Sequence, residues 1–419
     1  MKEDKGKAMN PAIARWMWIS LGLVLIIQVV GVIVLDPMGY RDSQEYLSIA
    51  ESIFHGRGYA IAGAPFEGFD TFHGESPTRM RQPIYPLYLV LFYWCLGKSA
   101  SAVQISQVFL NLLTFYLVAL IAYRTFGEKL WVGTLIGLSI YFPLWLTSSF
   151  LLTEVLFTFL LVLFMFFMQK ALYLKKDIGG FIIIGAILGL AVLTRPIGMT
   201  LCFLGFFLVW YHLGLRKALV RWSVTLIVCL VVLCPWFLRN ALVLGDYTPL
   251  SSDGGYGVWV SSIDSREPIW LDSPEFRSAV GNDFYHGRGA NSRFLELAIH
   301  NIKSDPVSHF IRIIKRVVWT WSYFPGSYQH HDNVLMYGGF RTVQMILLIC
   351  TIYGVFIVSK AKVAVYYLFP AVALSAALVF HFGYSRLIVP AMPWVVILAG
   401  QGFHHIVQRL GKVTPFRNA

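Results

Sequence analysis

Ten stretches of this chain are apolar over the length of a bilayer's hydrocarbon core, and that pattern limits what it can fold into. A spanning α-helix needs about 20 apolar residues, with about 17 as a working minimum. The candidates are Trp16–Leu35, Ser101–Tyr123, Leu130–Ser148, Phe150–Gln169, Ile178–Thr194, Ile197–His212, Leu219–Leu238, Thr342–Val358, Val363–His381 and Leu387–His404. Apolar residues fill 57% of the 419 positions and charged residues only 13%. A soluble chain carries roughly 25% charged residues, and no water-soluble interior of this size holds so much apolar surface. The expected class is therefore an all-α polytopic membrane protein. The net charge of +12 does not mark a nucleic-acid surface. Its basic residues fall in short clusters between apolar runs, which is how membrane topology is encoded. The five cysteines, Cys95, Cys202, Cys229, Cys234 and Cys350, all lie inside apolar runs and read as packing residues. Trp16–Leu35 is long for a signal-peptide core, and Asp36-Pro37 is no small-residue cleavage site, so this run reads as a retained first helix.

An eleventh apolar run, Ile84–Gly97, is short, contains Pro86 and is bordered by Arg81 and Lys98. If it does not span, Arg124/Lys129, Lys170/Lys175/Lys176, Arg216/Lys217/Arg221, Lys360/Lys362 and Arg409/Lys412/Arg417 all share the cytoplasm with the basic N-terminus. If it spans, every cluster after the first faces the wrong way. The run is therefore expected to be a juxtamembrane helix, with ten spans and both termini cytoplasmic. The chain then divides into a seven-helix module over 1–238 with an outer loop at 36–100, an outer segment at 239–341, and three helices with a cytoplasmic tail at 342–419. Within the outer loop, Tyr46, Ile49, Ala50 and Ile53 repeat at helical spacing. In the outer segment, His309–Trp321 is a basic amphipathic stretch expected to lie in the interface plane, with Arg312, Lys315 and Arg316 near lipid phosphates.

Charges at the ends of spanning helices are costly and so informative. With this topology the unusual ones share the outer rim: Asp42 and Glu45 after the first helix, Glu154 at the start of the fourth, Arg195 between the fifth and sixth, Arg239 at the end of the seventh, and Arg386 before the tenth. Arg79 and Arg81 lie in the same outer loop. Guanidinium groups bind phosphate oxygens bidentately, and a carboxylate beside them can take a proton from an acceptor. Structural roles compete at each position. Glu154 with Arg195 would also make an interhelical ion pair, and Arg239 would also serve as a snorkelling anchor. His330-His331-Asp332 has ligand-type residues on a loop, where adjacent histidines are usually solvated, and no metal site is assigned.

At these residues the sequence resembles the GT-C glycosyltransferases, in the branch of the aminoarabinose transferases and protein O-mannosyltransferases. The resemblance rests on Asp42-Ser43-Gln44-Glu45-Tyr46, Gly56-Arg57-Gly58-Tyr59, Arg81-Gln82-Pro83-Ile84-Tyr85-Pro86, Leu152-Thr153-Glu154, Thr194-Arg195-Pro196, Trp236-Phe237-Leu238-Arg239-Asn240 and Tyr384-Ser385-Arg386. These occur in family order along most of the chain. Two departures stand out. Ser43 replaces the second member of the acidic pair usual after helix one, and Gln82 stands where relatives often have a basic residue. The resemblance implies inverting transfer of a sugar from a polyprenyl-phosphate donor to a lipid, glycan or protein acceptor. It places the site on the outer face of a bacterial inner or archaeal plasma membrane, among membrane lipids. It implies Asp42 as the base and Glu154 as a catalytic partner that orients an arginine or the acceptor. Arg81, Arg195, Arg239 and Arg386 would bind the donor phosphate, and Glu45, Tyr46 and Tyr85 would line the substrate site. No cofactor is required; a divalent cation between Asp42 and a second carboxylate is compatible but not demanded. The other reading is a transporter or flippase for a lipid-linked or anionic solute. Such proteins show repeats and broken helices near mid-bilayer, and the sequence shows neither.

Overall fold

A computed structural model describes residues 11–62, 75–174, 177–245, 254–263, 290–322, 334–358, 360–380 and 385–413. Over these the chain is helical, apart from one antiparallel ladder of two three-residue strands, β1 (Ala60–Ala62) and β2 (Glu75–Pro77). Among the described residues, six helices are long and apolar enough to span: Arg15–Val34, Ala100–Phe126, Glu154–Leu174, Pro196–Leu213, Leu215–Leu244 and Arg386–Arg409. A bent pair makes a seventh. Gly179–Val192, Arg341–Ile357 and Ala361–Ala377 sit where further spans were expected but are shorter, so the count of ten is not established. Ile84–Leu96 is a separate short helix, as Pro86 and its basic borders predicted.

The helices that position the site are α1 (Pro11–Val34), α2 (Arg41–Phe54), α3 (Ile84–Leu96), α4 (Ala100–Phe126), α5 (Glu128–Ile140), α6 (Phe142–Leu146), α7 (Glu154–Gln169), α8 (Gly179–Val192), α9 (Met199–Leu213) and α10 (Leu215–Arg239). Helix α7 is apolar on every face and is accordingly central, with Phe157, Leu161, Phe164, Met165 and Met168 fully buried. Helix α8 joins α10 through glycine. A Cβ on Gly185 would stand 2.5 Å from the Thr225 carbonyl oxygen, and one on Gly189 would stand 2.7 Å from Val232. Small residues let membrane helices meet backbone to backbone, which replaces the missing hydrophobic drive between them. Elsewhere Ile33, Phe203, Leu242 and Phe356 stand exposed, as lipid-facing side chains do.

The expected straight span Leu130–Ser148 is instead broken, with α5 and the Phe142–Ser149 stretch meeting at 66°. Pro143 has no N–H to continue the helix. Carbonyls freed by such a break must find donors where water is absent, and α4 supplies them from one face. Gln104 donates to the Ser149 carbonyl at 2.7 Å, Gln107 to Ser148 at 3.0 Å and Phe150 at 2.8 Å, and Asn111 to Leu144 at 2.8 Å. This ladder of amides fixes the chain that leads into Glu154.

Outside the spans, α2 buries Tyr46, Ile49 and Ala50 as its periodicity predicted, with Tyr46 and Ala50 packed against Tyr85, Leu89 and Val90 of α3. In the outer segment, α11 (Gly254–Ser262) and α12 (Ala290–Ser304) precede α13 (Pro306–Ser322). The expected amphipathic helix is present, but two of its three basic residues bind protein. Arg316 donates to the carbonyls of Ser261 at 2.6 Å and Leu378 at 2.8 Å, and Arg312 to Ser262 at 3.1 Å. Lys315 is exposed, as are Val307, Phe310, Ile311, Ile314 and Val318. Carbonyls at helix ends carry partial negative charge, which outcompetes distant lipid phosphates for these guanidiniums. His330, His331 and Asp332 lie outside the described residues.

Candidate active site

Six charged side chains from five separate stretches of chain form one connected circuit. Arg81 donates to Glu45, and its Nη2 to Asp42 Oδ1 at 2.7 Å. The other Asp42 oxygen accepts from Arg386 Nη2 at 2.5 Å. Arg386 Nε lies 2.8 Å from Glu154 Oε1, and the same oxygen is 2.7 Å from Arg195 Nη1. The order is Glu45–Arg81–Asp42–Arg386–Glu154–Arg195, three carboxylates alternating with three guanidiniums.

Local structure explains how each arrives. Asp42 and Glu45 lie on one turn of α2, and Glu154 opens α7 just after the broken span. Arg195 is extended, in the turn between α8 and α9, because it precedes Pro196. Arg386 lies in the 3-10 turn Ser385–Ala391 before the C-terminal helix Met392–Val413. The turn of Arg195 is tied to the loop of Arg81 directly, the Ile84 amide donating to the Leu193 carbonyl at 3.1 Å.

The electrostatics follow from burial against pairing. Burial pushes the Asp42 carboxyl up, but Arg81 and Arg386 outweigh it and hold it well below the usual carboxylate range. Burial also pushes the Tyr46 hydroxyl up, to about 12, so it stays protonated. Glu154 is 1% exposed, and its two contacts are charge contacts by distance but not aligned hydrogen bonds; its Oε2 has no hydrogen-bond partner among the described residues. The circuit is neutral overall, so a phosphate can enter only by taking over guanidinium faces now turned to carboxylates.

Of the residues singled out from sequence, Asp42, Glu45, Arg81, Glu154, Arg195 and Arg386 meet here. Tyr46 lies against them, with the Arg81 guanidinium 5.4 Å from its ring centre. Two do not join. Arg239, expected with the phosphate-binding arginines, donates to the carbonyls of Tyr59 and Thr78 at 2.7 Å each and to Asn240 at 3.0 Å. It clamps β1 to the loop after β2, its guanidinium 5.4 Å from the Tyr59 ring and 5.2 Å from Trp236. Tyr85, expected to touch substrate, is fully buried and donates to Gln107 at 2.8 Å, which ties α3 to the amide ladder. Aromatic rings near an arginine cluster look alike in sequence whether they face ligand or core.

Sequence reading showed no sign of Tyr40, and it showed Tyr59 in a motif without showing its role. Tyr40 lies under the Arg386 guanidinium, 5.3 Å from its ring centre, and Tyr59 donates to the Arg81 carbonyl at 2.8 Å. The signal for Tyr59 was the Gly56-Arg57-Gly58 turn before it, where both glycines have positive φ, 75° and 84°.

No family model matches this chain, and no curated protein matches it. Solved structures do. An oligosaccharyltransferase from Archaeoglobus fulgidus, in its apo form, aligns over 97% of this chain and 52% of its own, at 15% identity and a TM-score of 0.59. The oligosaccharyltransferase AglB from the same organism, in complex with an inhibitory peptide and a dolichol-phosphate, aligns over 98% and 53%, at 15% identity and 0.56. The chain thus spans about half the length of AglB. ArnT from Cupriavidus metallidurans bound to undecaprenyl phosphate covers 96% of this chain and 81% of its own, but at 14% identity its TM-score is only 0.46. At these identities the likeness to AglB speaks to architecture, and it gives this chain the GT-C fold.

Proposed function

We propose that this chain is an inverting membrane glycosyltransferase, moving a sugar from a polyprenyl-phosphate-linked donor to a lipid, glycan or protein acceptor. The observation that carries the reading is the alternating circuit itself. Its carboxylate Asp42 is flanked by two arginines from opposite ends of the chain, Arg81 and Arg386. The AglB fold supports it, since that protein is an oligosaccharyltransferase crystallised with dolichol-phosphate. The positive-inside pattern supports placing the site on the outer face with both termini in the cytoplasm.

In this mechanism the donor phosphate displaces carboxylates from Arg386 and Arg195, with Arg81 next in line. Asp42, released from one arginine, accepts the proton of the acceptor hydroxyl or amine. The acceptor's lone pair attacks the anomeric carbon in line, the bond from that carbon to the phosphate oxygen breaks, and its electron pair leaves with the polyprenyl phosphate. The phosphate leaves as an anion of low basicity and needs no proton, so the protein need only stabilise the charge growing on that oxygen. Glu154 holds Arg195 and Arg386 in reach.

An Archaeoglobus fulgidus oligosaccharyltransferase has also been solved with Zn and sulfate. In this chain both Asp42 oxygens and Glu45 are turned to guanidiniums, and no group of three or more His, Cys, Asp or Glu is placed to hold a cation among the described residues. That donor set does not fit a metal, and no step is routed through one.

The transporter reading gains one feature, the broken helix. Its freed carbonyls, however, are occupied by Gln104, Gln107 and Asn111 and offer nothing to a solute. Reconstituted protein given a radiolabelled polyprenyl-phosphate sugar separates the two. Label in a new covalent glycoconjugate supports transfer, whereas label that only changes leaflet supports a flippase and ends the enzyme reading.

A further inference from the structure

One loop of the site carries buried polar groups without a hydrogen-bond partner among the described residues. Gln82 is only 4% exposed, yet neither its Nε2 nor its Oε1 has a hydrogen-bond partner among the described residues. Its position is fixed from both sides. Arg81 before it is bound to Asp42 and Glu45, and Ile84 after it is bound to Leu193, two residues from Arg195. The same loop runs back to Thr78, whose carbonyl shares the Arg239 Nη1 with Asn240 Oδ1. Asn240 is fully buried, and its Nδ2 is likewise unpartnered.

A buried carboxamide with no protein partner at either end is destabilising unless water or a ligand completes it. The chemistry of that ligand is narrow. A phosphate oxygen only accepts, so it would leave Gln82 Oε1 unpaired. A cation would leave Nε2 unpaired. Two neighbouring hydroxyls provide one acceptor and one donor at the spacing of a carboxamide.

We infer that the Gln82 carboxamide, on the loop that carries Arg81 and bonds to the turn of Arg195, reads a vicinal diol on the transferred sugar. Arg81, Arg195 and Arg386 take the phosphate, and Gln82 sets specificity for a sugar bearing two adjacent free hydroxyls. Asn240 Nδ2 adds a third donor beside the same loop. The inference rests on the transferase reading.

The test compares wild-type protein with Gln82→Met, which keeps volume and removes polarity. Each is given a polyprenyl-phosphate-linked sugar with an intact diol and analogues lacking one of its hydroxyls. Gln82→Met should lower kcat/KM for the intact donor roughly tenfold, the worth of one hydrogen bond of about 1.4 kcal/mol. Thermal stability in detergent should be unchanged or higher, since an unsatisfied polar group has left the interior. Removing the hydroxyl should penalise the wild type and scarcely affect Gln82→Met, the signature of a coupled pair. Wild-type transfer with an indistinguishable variant overturns this inference alone, and so does a variant that loses stability. A wild-type chain that glycosylates nothing overturns the transferase reading and this inference with it.

Discussion

Two sets of arginines in this protein teach opposite lessons. Arg81, Arg195 and Arg386 face carboxylates, whereas Arg239, Arg312 and Arg316 donate to main-chain carbonyls. A carbonyl partner belongs to the backbone and cannot leave, so the second set fastens loops and helix ends. A carboxylate partner is a side chain, which neutralises the guanidinium at rest and can turn away to let another anion take its place. On the proposed reading the first set is therefore stable at rest and exchangeable during turnover. Most of the ways to break that contrast are substitutions that should cost catalysis in one set and only fold in the other.

The largest effect is expected at Asp42. In Asp42→Asn, Arg81 keeps Glu45 and Arg386 keeps Glu154, so each guanidinium retains a carboxylate and the fold should survive. Transfer should fall by about 10²–10⁴, the usual worth of a general base. Turnover of a labelled donor, measured beside thermal stability, decides it; near-normal turnover removes Asp42 from the chemistry. Glu154→Gln should act differently, because Glu154 is the one carboxylate placed on Arg195 among the described residues. Leaving a buried cation unpaired costs about 3–5 kcal/mol, so denaturation midpoints should drop as well as activity. A variant as stable as wild type would mean that water reaches Arg195 and that the circuit is less enclosed than its burial indicates.

The difference between the sets also marks how much the sequence disclosed. Asp42, Glu154, Arg195 and Arg386 could be gathered in advance because the cost of charge at membrane helix ends leaves few reasons to keep it. The short helix Ile84–Leu96 followed from Pro86 and charge parity. Arg239 could not be separated from them. Its partners, the carbonyls of Tyr59 and Thr78, lie 180 and 161 positions away and belong to backbone, which has no sequence signature. The 66° break was missed for a related reason. Pro143 signalled it, but prolines are tolerated in spanning helices, and the deciding residues were the amides of another helix. Gln104, Gln107 and Asn111 share one face of α4, a stripe of amides that in hindsight announces free carbonyls opposite. Arg312 and Arg316 of α13 were expected near lipid phosphates and instead bind carbonyls, because an amphipathic pattern says that a helix has two faces, not which one meets protein.

A smaller effect should distinguish Arg239 directly. Arg239→Met leaves the Tyr59 and Thr78 carbonyls without that donor, at a cost of about 1–3 kcal/mol. Stability should fall, and donor KM in the folded fraction should stay within about twofold of wild type. Arg386→Lys is the counterpart. An ammonium cannot reach Asp42 and Glu154 with a fixed fork, so there kcat/KM should fall with little loss of stability. If both variants raise donor KM alike, Arg239 also meets the phosphate and the division between the sets is wrong.

The smallest effect is in the pH dependence of stability. Asp42 lies on α2, outside the spanning helices, and its arginine neighbours hold its carboxyl below the ordinary value despite burial. A carboxylate depressed in the folded state contributes stability that is full above its unfolded value of about 3.9 and is lost as pH falls toward its folded value. The stability difference between wild type and Asp42→Asn should therefore be constant from about pH 7 to about pH 5 and shrink only below about pH 4. A wild-type advantage that instead grows as pH falls from 7 to 5 would mean that the carboxyl is raised, not lowered. Desolvation would then outweigh the two guanidiniums, and Arg81 and Arg386 would not be paired with Asp42 at rest. The same profile would show that the first set of arginines is held, like the second, by something other than exchangeable acids.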